Sequence, residues 1–249
     1  MASAGVGLAS VSLLAAAAAG WIAPSLLRFG PLRQACYPVL AGVGSEAHIA
    51  LTFDDGPDPA GTLAVLGALA DLGWRATFFL VGEQVRCHPQ LARAVAEAGH
   101  ELALHGDRHR NHLFRSGRDV AADLRRGAET IRAATGVSPV FFRPPFGVFT
   151  AGTLAAARRQ RLHPVLWTAW GRDWEVSTGP QVAATVLATL DERGTILLHD
   201  ADRYARTPQS WKATVDALPV LGQAAAEHGW RIGPLQEHFR LDVEPDRRR

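Results

Sequence analysis

The stretch Ala47-His48-Ile49-Ala50-Leu51-Thr52-Phe53-Asp54-Asp55-Gly56-Pro57 decides how the rest of the chain is read. Its run from Ala47 to Phe53 is mainly apolar and β-prone, and Asp, Gly and Pro close it as turn residues. Outward from it the same unit recurs, a short apolar run followed by a longer segment of helical spacing. Strands are expected at 47–53, 76–81, 101–104, 140–142, 164–167, 195–198 and 230–232, with helices at 61–72, 89–98, 118–134, 151–160, 181–191 and 211–228. Gly73, Gly99, Gly136 and Gly229 stand just past helix ends, where a left-handed residue is wanted. About seven βα units without a linker predict one α/β domain, a distorted (β/α) barrel over 47–240. Segment 1–30 is read as an apolar extension, 31–46 as a connector and 241–249 as a polar tail.

The chain has 249 residues, 47% of them apolar, and 26 basic against 24 acidic side chains leave a formal charge of +2. A balance so even excludes a nucleic-acid protein, which needs a concentrated basic surface. Lys212 is the one lysine, which leaves little room for Schiff-base chemistry. Cys36 and Cys87 are too few for a disulfide scaffold and match no redox spacing; buried thiols are expected. The basic run Arg108, Arg110, Arg115, Arg118, Arg125, Arg126 and Arg132 is interleaved with acids and reads mostly as a solvated helix face.

Residues 2–27 carry no charge and are long enough for a membrane span at ~1.5 Å per residue. Pro24 and many small residues weaken that reading, and the segment lacks a basic start, whereas Arg28 and Arg33 follow it. Membrane association or export is favoured slightly over a cytoplasmic location, and the oligomeric state stays open.

Polar residues cluster after the ends of the expected strands: Asp54 and Asp55, then His105 to His109, Arg143, Asp173, and His199 with Asp200. In a parallel barrel those ends open on one face, so distant residues converge there. Neighbours in extended chain point to opposite sides, so one of Asp54 and Asp55 can ligate while the other stays free; a plain turn is the competing reading. His105 and His109, four apart, can reach one ion, and Asp55 would complete a His-His-carboxylate set with an open place for water. The zinc-protease pattern fails because Gly106 stands where Glu is required. His100 precedes its strand, and His112 is expected at the surface. His199 can serve as an acid near neutral pH, with a satisfied core histidine as the alternative. Arg143 sits in a stiff Pro144-Pro145 loop suited to orienting a carboxylate, with Asp173 as the expected partner. Trp167, Trp170 and Trp174 fall in one loop and either pack or stack on a sugar ring.

Taken in order, Leu51-Thr52-Phe53-Asp54-Asp55-Gly56, His105-x-x-x-His109, Arg143-Pro144-Pro145-Phe146-Gly147, Asp173-Trp174 and Leu197-Leu198-His199-Asp200 resemble the motif series of polysaccharide deacetylases with a NodB homology domain, a carbohydrate esterase family 4 pattern. The resemblance covers about residues 47–235, and five motifs in order are far more specific than any one. It implies metal-dependent removal of acetyl groups, N-acetyl above all, from an acetylated glycan. It implies that Asp55, His105 and His109 hold a divalent metal, usually Zn2+, with Asp54 as general base and His199 as general acid. Arg143 and Asp173 would orient them, and Pro145, Phe146, Trp170 and Trp174 would meet the substrate. Two departures stand out. Gly106 replaces the usual Ser or Thr after the first His, and Trp170 stands where another Asp is usual. Hydrolysis of a non-sugar amide, a weakened carbohydrate-binding protein and a ligand-free structural barrel are the rival readings.

Overall fold

The computed structural model describes residues 20–21, 23–24, 31–44, 47–175 and 178–239. The strands are β1 (Ile49–Asp54), β2 (Thr77–Leu80), β3 (Glu101–Leu104), β4 (Phe141–Phe142), β5 (His163–Pro164), β6 (Ala169–Trp170), β7 (Thr195–His199) and β8 (Ile232–Gly233). Their order is β5-β4-β3-β2-β1-β7-β6, and the pairings are parallel. β8 lies off this path and pairs with the start of β1, Ile49 opposite Ile232 and Ala50 opposite Gly233. Seven parallel strands form the curled sheet, the number expected, but β6 was not among the expected strands, and the expected strand at 230–232 is the short β8 that pairs with β1 off the main path.

The helices are α1 (Pro31–Cys36), α2 (Pro38–Ala41), α3 (Gly61–Leu72), α4 (Gly82–Cys87), α5 (Pro89–Glu97), α6 (Gly117–Thr135), α7 (Ala151–Arg159), α8 (Gly179–Leu187), α9 (Trp211–His228) and α10 (Leu235–Phe239). Gly73, Gly99, Gly136 and Gly229 all adopt positive φ, so the helix stops read from the sequence fall where the backbone needs them. The short helices α1, α2, α4 and α10 were not expected.

The strands are buried on both faces, and successive residues alternate between the two with period two. Leu51, Phe53, Phe78, Leu80, Leu102 and Leu104 pack outward with helix residues such as Val65, Leu69, Val95, Val120 and Leu124 in the larger core. Ala50, Phe79, Ala103 and Phe141 belong to a separate inner cluster. Asp54, His105 and Arg143 continue this inner series on β1, β3 and β4. Leu197 and His199, alternating with outward Ile196 and Leu198, do the same on β7. The pleat that buries the core thus delivers the polar residues to the barrel mouth.

The two edge strands, β5 and β6, are joined by residues 165–168 alone, so they can stand no more than roughly 18 Å apart at ~3.6 Å per residue. The expected strand over 164–167 stops early because distant parts of the chain take its hydrogen-bonding groups. The carbonyls of Val165 and Leu166 accept hydrogen bonds from Nε and Nη2 of Arg143, at 3.2 and 2.9 Å, and the Leu166 N–H turns to the carbonyl of Leu40. The chain re-enters the sheet only at Ala169. The connector contributes at this seam, where Arg33 donates to the carbonyl of Trp167 at 3.0 Å.

Two expectations from the sequence need correction. Cys36 and Cys87 are exposed free thiols, because each ends a short surface helix instead of entering a strand. His112 is buried, not superficial: its ring stacks on Phe142 and its Nδ1 lies 3.3 Å from Thr153 Oγ1. His100 does precede β3, where its Nδ1 accepts the Ala76 N–H. The 2–27 segment and the 241–249 tail lie outside the described residues, apart from Gly20, Trp21, Ala23 and Pro24. Among the described residues no helix is long and apolar enough to cross a membrane.

Candidate metal centre

β1 ends at Asp54, and Asp55 then takes a φ of +84°, a left-handed conformation. The extended-chain argument for opposite-facing carboxylates therefore fails at Asp55; the left-handed turn swings its carboxylate back over the barrel mouth. Asp55 Oδ1 lies 3.4 Å from Nε2 of both His105 and His109. Asp54 Oδ2 is 3.8 Å from the same His105 nitrogen. Asp200 holds the turn from β7, accepting the Gly56 N–H at 3.1 Å and the Thr62 hydroxyl at 2.5 Å. A side chain at residue 56 would collide with the Asp200 carboxylate, which is why this position is glycine.

His105 Nδ1 lies 2.9 Å from the Arg143 carbonyl and donates to it, which leaves Nε2 as a lone pair facing Asp55. The His109 ring is held between Tyr204, stacked at 4.1 Å, and the edge of Phe146 at 4.5 Å. Burial drives His105 well below the usual imidazole range and His109 down to about 3, with positive neighbours adding to the effect. Both rings are neutral near pH 7. Burial also raises Asp55 to about 7, against the opposing charge of His199. Asp55 Oδ1 is buried and has no hydrogen-bond partner. One oxygen and two unprotonated nitrogens within 4.8 Å of one another form a hard and borderline donor set that fits a divalent cation. The orphaned oxygen is the sign that protein atoms alone do not complete the group.

Arg143 is fully buried and crosses the barrel interior. Its Nη1 reaches Asp54 Oδ1 at 2.7 Å and Thr52 Oγ1 at 2.8 Å, and its guanidinium carbon lies 4.1 Å from the centroid of the Phe79 ring. Burial raises the Asp54 pKa, and the Arg143 charge opposes that rise. Asp173 ends elsewhere: its Oδ1 meets His199 Nδ1 at 2.8 Å, while Oδ2 accepts the His199 N–H at 2.6 Å and the Thr214 hydroxyl at 2.7 Å. The expected Arg143–Asp173 pair is thus replaced by two pairs, each to a different group. Burial alone would lower the His199 pKa, but Asp173, with Asp55 and Asp54 behind it, raises it to about 10.

Asp54, Asp55, His105, His109 and His199 line one cleft together with Trp167, Trp170, Trp174, Phe146 and Tyr204. Trp170 and Trp174 stack at 4.4 Å, and Trp174 meets His199 edge-on at 5.3 Å. Pro145 is buried under its turn, and Phe146 and Gly147 form the wall in its place. Thr52, Asp200, Tyr204 and Thr214 were not among the expected site residues. Asp200 had a signal, since it directly follows His199 after a strand; Thr214 and Tyr204 had none of comparable strength.

Residues 41–165 match the polysaccharide deacetylase family model. The chain is 34% identical over 203 residues to the chitooligosaccharide deacetylase of Sinorhizobium fredii, covering 80% of this chain and 94% of that protein. This chain belongs to the polysaccharide deacetylase family. Another relative in that family is a peptidoglycan-N-acetylglucosamine deacetylase of Bacillus cereus, 29% identical over 82% of this chain and 72% of its own length. Among solved structures, a peptidoglycan N-acetylglucosamine deacetylase in complex with 4-naphthalen-1-yl-N-oxidanyl-benzamide superposes with a TM-score of 0.78 at 27% identity, covering 87% of this chain and all of that one. The polysaccharide deacetylase domain and the curled barrel thus agree with what the five motifs implied.

Proposed function

We propose that this chain is a metal-dependent hydrolase that removes N-acetyl groups from an N-acetylglucosamine-containing glycan, a chitooligosaccharide or a peptidoglycan strand. The observation that carries this reading is the orphaned Asp55 Oδ1 between the two His Nε2 atoms, flanked by the Asp54 carboxylate and the His199 imidazolium in one cleft. The names of the relatives support the glycan class, and the stacked indoles of Trp170 and Trp174 offer flat apolar faces to a sugar ring.

Asp55, His105 and His109 would hold the cation, which when bound polarises a carbonyl and lowers the pKa of bound water to ~7. Asp54 is the general base in this scheme. Arg143 pins its Oδ1, so Oδ2 is left to take the proton of the attacking water. His199 is the general acid. Asp173 occupies Nδ1 and sustains the imidazolium, so Nε2–H is the proton delivered to the departing amine. Phe146, Trp170 and Trp174 position the sugar.

The test is acetate release from acetylated chitooligosaccharides and from peptidoglycan fragments by the full chain, loaded with zinc or stripped with chelator. Release that disappears with chelator and returns with zinc is expected. No release from either substrate by the zinc-loaded chain, or equal release after chelation, would overturn the proposal.

A further inference from the structure

Behind the His105–His109 loop lies a node of close backbone contact. Gly106, between the two imidazoles, has a φ of +87°, and a side chain there would stand 3.1 Å from Asp123 Oδ2 and 3.2 Å from the Arg108 carbonyl. On α6, a side chain at Gly127 would come within 3.0 Å of the Asp107 nitrogen. On α4, a side chain at Gly82 would come within 2.7 Å of Asp107 Oδ1 and 3.0 Å of Gly127 Cα. Three segments therefore meet backbone to backbone.

Hydrogen bonds lock the node. The N–H groups of Gly82 and Glu83 donate to the carbonyls of Gly106 and Asp107 at 3.0 and 2.9 Å. The Asp107 N–H donates to Asp123 Oδ2 at 2.8 Å. Asp107 and Asp123 are both buried, and guanidinium groups offset their charge. Arg86 Nη1 reaches Asp107 Oδ1 at 2.5 Å, Arg126 Nε reaches Asp107 Oδ2 at 3.4 Å, and Arg126 Nη2 stands 3.8 Å from Asp123 Oδ1.

The geometry has a consequence for the imidazoles. His105 is fixed from its own side, by the Leu80 carbonyl on its N–H and the Arg143 carbonyl on its ring. Where His109 falls relative to it depends on the path of 106–108. We infer that Asp123 is a positioning residue for the His105–His109 pair: its carboxylate, brought by α6, holds the Asp107 N–H and so sets the separation of the two ring nitrogens. Gly106 follows from this arrangement, because the carboxylate takes the space a side chain would need. The inference rests on the cation reading proposed above.

Zinc affinity of the full chain, measured by competition with a chromophoric chelator beside the melting temperature of the metal-free chain, separates the two. Asp123→Ala is expected to weaken zinc binding by up to about 10-fold, the lower end of the loss seen when a direct partner of a ligand is removed, because Asp123 acts on the loop and not on a ligand itself. Asp123→Asn keeps an oxygen acceptor for the Asp107 N–H and is expected to stay within about 3-fold of the unaltered chain. Gly106→Ala, which pushes against the carboxylate, is expected to weaken binding as well. A folded Asp123→Ala that binds zinc like the unaltered chain overturns the inference while leaving the cation reading intact. If Asp123→Ala does not fold, Asp123→Asn and Gly106→Ala decide: an amide variant that loses affinity, or an alanine at 106 that loses none, overturns it. Absence of zinc binding in the unaltered chain overturns both.

Discussion

Arg143 and Asp54 form an ion pair inside the barrel, Nη1 to Oδ1 at 2.7 Å, with the arginine side chain fully buried and the aspartate nearly so. Four acceptors surround the guanidinium: Asp54 Oδ1, Thr52 Oγ1 and the carbonyls of Val165 and Leu166. The pair therefore joins β1 to the seam between β5 and β6 while holding one oxygen of the proposed base. Breaking a buried pair from one side leaves an uncompensated charge at a cost of about 3–5 kcal/mol.

Arg143→Met is accordingly expected to lower the melting temperature by roughly 6–20 °C, at ~2–4 °C per kcal/mol for a chain of this size. Deacetylation should fall with it. Thermal melts of the metal-free protein check the first part; a midpoint within about 2 °C of the unaltered chain, roughly 0.5–1 kcal/mol, would show that Arg143 does not carry the seam.

Asp54→Asn and His199→Gln separate ligation from proton transfer. Neither residue belongs to the Asp55, His105 and His109 donor set, so both variants should still bind zinc. Loss of a general acid or base typically lowers turnover ~10²- to 10⁴-fold. Zinc content and acetate release measured on the same preparations are the check, and a variant with undiminished turnover removes that residue from the scheme.

What the sequence made legible follows its periodicities. Helices 61–72 and 211–228 were read to the residue because a glycine stops each one at its left-handed end. The inward residues Asp54, His105, Arg143 and His199 were legible because each follows an apolar strand run. The β5–β6 seam was not, since what ends the strand at Pro164 is a guanidinium from a distant loop taking the carbonyls of Val165 and Leu166. Nor was the facing of Asp55, which depends on a left-handed φ at a non-glycine residue. Asp123 was hidden for a third reason: it sits in a run of helix-surface charges, and only the close approach of α6 to the His105–His109 loop turns it inward. Composition also misplaced the two cysteines, because burial of a thiol depends on the face of the helix that carries it.

In the proposed scheme Asp173 is expected to set the alkaline limit of the reaction. Burial would lower the His199 pKa, and the Asp173 carboxylate at 2.8 Å is the main group raising it to about 10. A proton donor is active below its pKa, so activity should fall as pH rises through that value. In Asp173→Asn the imidazolium loses its closest counter-charge, and the falling limb of the kcat profile should move to lower pH. A limb that stays in place would assign it to another group.

Stability should depend on two buried histidines outside the donor set. His112 and His238 are buried, and burial lowers each to about 4. His238 lies between His48, Nδ1 to Nδ1 at 3.3 Å, and the Gly42 carbonyl. Both rings stay neutral in the folded chain below the pH at which the unfolded chain takes up protons. The unfolded state therefore binds more protons between about pH 6.5 and 4, and stability is lost as pH falls through that window. By pH 5 each contributes a loss of about 2 kcal/mol, from ~1.4 kcal/mol per pKa unit. These two rings push the melting temperature down between pH 7 and pH 5, while Asp55, raised to about 7, pushes it the other way. In His112→Gln, which titrates nowhere in this range, the loss of stability between pH 7 and pH 5 should be smaller by that residue's own share of about 2 kcal/mol; an unchanged pH dependence in that variant would mean that His112 does not take up its proton on unfolding.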